Sequence, residues 1–195
     1  AGIIGLLFLL SCTADQVHIE QDAYFNALFT QSGGGFTGAD GTYSVYLPDG
    51  RTVWIFGDTF LGTVNADSTR ERMSPMYIRN AFVVQDGSSL TTLYTGNAQD
   101  YHSLIIPPKV KNSKGELTEA LHWYWPGDGF VQGDTLKVFL SEFEQVTDDM
   151  WGFTWRGTAI AEFLLPDIKQ IAIHEISAKK TDSIHFGHAV LQDDS

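Results

Sequence analysis

Two aspartates bracket one short ribbon of this chain. The stretch GADGTYSVYLPDGRTVWIFGDTF, residues 38–60, carries Asp40 near its start and Asp58 near its end. A pair of carboxyl groups facing each other with unequal pKa values is the basic equipment for cleaving an acetal, one acting as acid and the other as base or nucleophile. Each residue also has a plainer reading. Asp40 before Gly41 suits an Asx-type turn, and Asp58 in Gly57-Asp58-Thr59 suits the cap of a strand end.

The turn between them decides the geometry. Pro48-Asp49-Gly50 suits a three-residue hairpin loop, with Pro fixing φ at the first position and Gly taking the left-handed third. Leu47 then faces Arg51, and partners keep an index sum of 98, which pairs Val45 with Val53, Tyr43 with Ile55 and Asp40 with Asp58. Side chains directly opposite on a ladder have Cβ atoms about 4.5–5.5 Å apart, which puts both carboxyls on one face. A loop of two or four residues turns them to opposite faces. Like charges that close are unfavourable, so one carboxyl should hold a proton. Asp58, set among Trp54, Phe56 and Phe60, has the more apolar neighbourhood and is the expected acid. Asp49 at the far tip reads as a turn residue.

Other side chains are candidates for holding a ligand. Trp123, Trp125 and Asp128 lead into a Gly-Asp-Gly turn, where a Trp face can stack on a sugar ring and Asp128 can bond its hydroxyls; interblade packing and turn formation are the alternative. Arg79, at the start of Ala81-Phe-Val-Val84, can steer a carboxylate or a hydroxyl, or make an ordinary ion pair. His185 and His188 lie three apart on an expected strand and so face opposite sides, which makes them a poor metal pair; His188 can reach a substrate hydroxyl. His102, His122 and His174 have no partner at ligand spacing. No metal site and no cofactor is expected, and no P-loop, Rossmann fingerprint or Gly-x-Ser-x-Gly elbow is present.

Composition sets the wider frame. Among 195 residues, 43% are hydrophobic and 18% charged, which describes a globular chain, and 13 Phe, 7 Tyr and 5 Trp with 19 Gly fit a β-rich one. The balance of 24 acidic against 12 basic side chains, a net charge of −12, argues against nucleic acid and suits a neutral carbohydrate. The sequence carries no signature of a particular oligomeric state.

The first residues form a separate object. Gly2-Ile-Ile-Gly-Leu-Leu-Phe-Leu-Leu10 is too short to span a bilayer and reads as the apolar core of a signal peptide. Leu9-Leu10-Ser11-Cys12 resembles the lipobox of bacterial lipoproteins, with Cys12, the single cysteine, as the lipidated residue. Residues 1–12 are then a truncated signal, 13–32 a tether, and 33–195 the working domain. The expected location is outside the cytoplasm, on the bacterial cell envelope, with membrane contact only through lipid.

Strands are expected near 42–47, 52–57, 78–85, 90–95, 121–126, 135–143, 156–164, 170–176 and 185–192. Two successive groups of four, then one strand more, are the pattern of a β-propeller: an all-β fold of four-stranded antiparallel blades, here two blades and the first strand of a third. A nine-stranded sandwich or jelly roll is the alternative.

Several of these runs together resemble a known group. LPDGRTVWIFGDTFLG, residues 47–62, with Arg79-Asn80-Ala81-Phe82-Val83-Val84, Trp123-Tyr-Trp-Pro-Gly-Asp128 and Phe186-Gly187-His188-Ala189-Val190, is similar to the five-bladed β-propeller glycoside hydrolases. The likeness is nearest to domain of unknown function 4185, associated with glycoside hydrolase family 183 and endo-acting D-arabinofuranosidases, and covers about residues 33–192. It implies a furanoside-cleaving enzyme whose inner strands aim acids into an axial funnel. Only Asp40 and Asp58 match the first-blade acids. The competing expectation is a non-catalytic carbohydrate-binding propeller of a glycan-uptake system.

Overall fold

The computed structural model describes residues 18–70, 77–107, 121–176 and 184–193. In chain order its elements are α1 (Ala23–Phe29), β1 (Phe36–Ala39), β2 (Thr42–Tyr46), β3 (Thr52–Phe56), β4 (Thr59–Leu61), β5 (Ala81–Asp86), β6 (Ser89–Leu93), β7 (Thr95–Asn97), β8 (Asp100–His102), β9 (His122–Gln132), β10 (Thr135–Gln145), β11 (Phe153–Leu164) and β12 (Lys169–Ile176). The fold is all-β and antiparallel, with one short helix among the described residues. Two four-stranded sheets, β2-β3-β5-β6 and β9-β10-β11-β12, are accompanied by the ribbons β1-β4 and β7-β8.

Local turn chemistry explains the tight reversals within the two sheets. Gly50 takes φ +90° at the tip between β2 and β3, where Leu47 N–H donates to the Arg51 carbonyl at 2.8 Å and closes a three-residue loop. Asp49 accepts from the Arg51 backbone and side chain and serves that turn. The two-residue loops Gly87-Ser88 and Gly133-Asp134 make the next tight reversals, each with its glycine at positive φ.

Alternation along these strands supplies two packing faces. Val45, Val53, Ile55, Phe82 and Val84 of the first sheet pack with Leu136, Val138, Leu140, Ala161 and Phe163 of the second, and the rings of Phe82 and Phe163 lie 5.0 Å apart. Each of the Val, Leu, Ile and Phe side chains contributes about 1.5–3 kcal/mol on burial, which makes this seam the main source of cohesion between the sheets. The opposite face, formed by Trp54, Phe56 and Val83, is covered by Phe36 and by α1. Asp22 caps that helix by accepting from Phe25 N–H at 3.0 Å, and Phe29 sits edge-on to Trp54 at 5.0 Å. The helix thus occupies part of the stretch read as a tether.

Two expectations need correction. β9 does not end in a turn at Pro126-Gly-Asp-Gly129. It runs on to Gln132 through a bulge, with Leu140 facing Pro126 and Val138 facing Gly129, so one extra residue is absorbed on β9. No strand forms over 184–193 either. Gly187, at φ +85°, bends that segment, and its carbonyl accepts from Asp128 N–H at 2.7 Å instead of joining a ladder. Residues 1–17, with Cys12 and the lipobox, lie outside the described residues.

Candidate active site

The hairpin register carries through to both aspartates. β2 and β3 pair Val45 with Val53 and Tyr43 with Ile55, while β1 and β4 pair Ala39 with Thr59, so the same index sum of 98 holds on either side of Asp40 and Asp58. At the joint between the two ladders, Asp40 N–H donates to the Asp58 carbonyl at 3.1 Å and Gly57 N–H donates to the Asp40 carbonyl at 3.0 Å. Asp40 therefore meets two residues of the opposing strand. Its carboxylate folds back over Gly57: a Cβ there would fall 2.8 Å from Asp40 Oδ1. The glycine makes the room.

Asp58 is the more enclosed of the two, with 23% of its side chain exposed, whereas Asp40 is solvent-exposed. The indole Nε1–H of Trp125, on β9, donates to Asp58 Oδ1 at 2.8 Å. Arg79 approaches Oδ2 at 3.4 Å, a long ion pair. Burial nevertheless dominates and pushes the Asp58 carboxyl above its ordinary value; the Trp125 hydrogen bond and the Arg79 charge oppose it, and the Asp40 charge adds to it. Two carboxyls in unlike surroundings are the arrangement from which acid and base roles separate.

Arg79 is positioned by its neighbours. Its guanidinium lies 4.1 Å from the centre of the Trp123 ring and 5.3 Å from that of Tyr77, and its backbone N–H donates to Ser103 Oγ. The next residue, Asn80, is fully buried. Its Nδ2 donates to the carbonyls of Ile105 and Tyr124, both at 2.9 Å, and its Oδ1 accepts from Ile105 N–H at 2.7 Å. One amide thus pins the start of β5 to β9 and sets where Arg79 begins.

A cavity of about 450 Å³ opens beside the pair, lined by Gly38, Ala39, Asp40, Asp58, Phe60, Arg70 and Tyr77. Tyr77 arrives because Thr59 and Ile78 bond each other in both directions, which brings its ring to 5.9 Å from Phe60. Period-two alternation before Arg79 is the signal that could have found Tyr77. Arg70 had none, since a turn delivers it. On the far side of Trp125, Phe143 and Phe153 pack at 4.7 and 5.3 Å and hold the indole in place.

The other expected binding residues do not join this cluster. Asp128, aimed by the β9 bulge, accepts from Gly129 N–H and Val190 N–H, both at 2.8 Å, so its carboxylate fastens the 187–190 segment. His188 is exposed, and its ring stacks with that of His185 at 6.1 Å; the two share a side because the segment is not a strand. His185 in turn stacks on Trp155 at 4.2 Å. Among the described residues no three His, Cys, Asp or Glu side chains are grouped for a metal ion.

A family model described as a domain of unknown function, DUF5005, matches residues 22–195. The chain belongs to the DUF5005 family. That match differs from the group its motifs resemble, and it begins at Asp22, the cap of α1. The DUF5005 chain is also similar to a Bacteroides ovatus protein whose crystal structure is described as that of a "putative hydrolase", at 26% identity and a TM-score of 0.63. The likeness covers 77% of this chain and 42% of that one, so the DUF5005 chain spans less than half its length. No curated protein matches.

Proposed function

We propose that this DUF5005 chain forms part of a glycoside hydrolase acting on furanosidic, arabinan-type linkages, with Asp58 as the acid and Asp40 as the nucleophile. The observation that carries the reading is the pair itself: two aspartates at opposing register positions, unequally buried, lining one open cavity with Phe60 and Tyr77. Similarity to a "putative hydrolase" supports hydrolysis in general. Two four-stranded antiparallel sheets that succeed one another along the chain are compatible with successive propeller blades.

The expected reaction runs with retention. Asp58 gives its proton to the glycosidic oxygen as the Asp40 carboxylate attacks the anomeric carbon, forming a glycosyl ester and releasing an alcohol. Asp58, now ionised, takes a proton from water, which attacks the same carbon and frees Asp40. Trp125 and Arg79 support the ionised stage of Asp58, and the Phe60 and Tyr77 rings offer faces for the sugar. The substrate is an oligo- or polysaccharide. We place the protein outside the cytoplasm, held at the bacterial envelope by lipid on Cys12.

The test is an assay of the parent protein on arabinan, arabinogalactan and fructan panels, with the anomeric form of the first product read by NMR. Release of the inverted anomer rules out the retaining pair. Binding without cleavage leaves a carbohydrate-binding protein instead.

A further inference from the structure

The cavity contains a cation that no acid pairs with among the described residues. Arg70 lines it beside Asp40 and Asp58, and among the described residues no carboxylate pairs with its guanidinium. Neutral partners hold it. Nη1 donates to the Thr37 hydroxyl, Nη2 donates to the Thr37 carbonyl at 2.9 Å, and the guanidinium carbon lies 4.8 Å above the Phe60 ring.

The approach to Arg70 is built as well. Val64 bridges to Arg70 across a tight turn in which Asp67 accepts from both the backbone N–H and the hydroxyl of Thr69, and Ser68 takes the left-handed φ of 66°. Val64 N–H is tied to the Ser32 carbonyl at 2.9 Å.

We propose that Arg70 binds an anionic substituent on the glycan, a carboxylate or a sulfate ester, on the sugar at or next to the cleaved linkage. The inference rests on the glycan-cleaving reading above and narrows its substrate to an acidic glycan. Two guanidiniums accompany the two aspartates here, Arg70 lining the cavity and Arg79 at 3.4 Å from Asp58. A planar guanidinium with two edges on neutral acceptors keeps donors free for an incoming anion.

The experiment compares wild type, Arg70→Ala and Arg70→Lys on a uronate-bearing arabinogalactan and its carboxyl-reduced form, and on a sulfated glycan and its desulfated form. The expected result is a wild-type preference for one anionic member of a pair, tenfold to a hundredfold in kcat/KM, roughly what one charge-assisted hydrogen bond supplies. Arg70→Ala should bring the ratio of kcat/KM between the anionic and neutral members toward one, whatever its effect on the neutral member, and Arg70→Lys should retain part of the preference. Whichever pair shows the preference identifies the anion. Equal rates within both pairs, or an Arg70→Ala loss shared by neutral and anionic members, overturns the proposal and leaves the hydrolase reading intact. If no glycan is cut, titration of methyl glucuronoside and sugar sulfate against their neutral counterparts, followed by NMR, decides it: Arg70-dependent binding of an anion alone upholds the anion site without the hydrolase, and its absence removes both.

Discussion

Trp125 reaches from the second sheet to Asp58, just beyond the end of β3 of the first, its Nε1–H donating to Oδ1 at 2.8 Å. The bond favours the ionised form of a carboxyl that burial otherwise disfavours. Trp125→Phe keeps an aromatic ring and removes the donor. The pKa of Asp58 should then move further up, carrying the alkaline limb of the pH–rate profile with it. A 13C NMR titration of Asp58 alongside that profile measures the displacement, and an unmoved limb would assign it to another group.

Asp58→Asn should separate activity from stability. Turnover falls by about 10²–10⁴-fold, the usual contribution of a general acid, and Asp40→Asn should cost at least as much. The sign for stability is opposite. A folded-state pKa above the ordinary 3.8 means that Asp58 adds most to stability at low pH, where it is protonated in both states, and that this contribution is lost as pH rises through the folded pKa. Asp58→Asn should therefore melt at or above the parent temperature at pH 7, with the difference shrinking toward pH 3. Calorimetry at stepped pH reads it directly.

Gly57→Ala tests the space under Asp40. The new Cβ would come within 2.8 Å of Oδ1, and the carboxylate is the freer of the two to move. Activity should drop by on the order of tenfold or more, since small misplacements at a reacting centre are costly, while the melting temperature changes little. A large loss of stability with normal turnover of the folded fraction would show that the backbone moved instead.

Asn80→Ala should behave in the opposite way, as a stability variant. It leaves the Ile105 amide and the carbonyls of Ile105 and Tyr124 without their buried partner, a cost of about 3 kcal/mol or more at 1–3 kcal/mol for each of the three unsatisfied groups. Urea unfolding should show the midpoint shift.

Asp128→Ala distinguishes a fastener from a ligand. Release of Val190 N–H should raise amide exchange and proteolysis near residues 187–190 with KM unchanged. A raised KM with unaltered exchange would return Asp128 to the binding site.

What could be read from the sequence was whatever depends on near neighbours. Pro48-Asp49-Gly50 specified a three-residue loop, and that loop fixed the index sum that brings Asp40 opposite Asp58 across a joint between two ladders. The apolar neighbours of Asp58 pointed to the raised pKa. Legibility ended where one residue redirected the chain. Gly-Asp-Gly after Pro126 has the composition of a turn, yet a bulge let β9 continue and sent Asp128 toward Val190. Gly187 broke an alternation that looked like a strand, and with it the argument that His185 and His188 oppose each other. Arg70 and the Asn80 clamp arise from contacts between segments distant in sequence, which carry no periodic trace.

The enclosed carboxyl follows β3 of one sheet and its indole donor lies in the other, so the proposed site depends on how the two sheets are docked. Gentle chaotrope that parts the sheets without melting either would leave the far-ultraviolet β signature intact and abolish turnover. Loss of catalysis would then precede loss of secondary structure, and enzyme assay would be a finer gauge of sheet docking than circular dichroism.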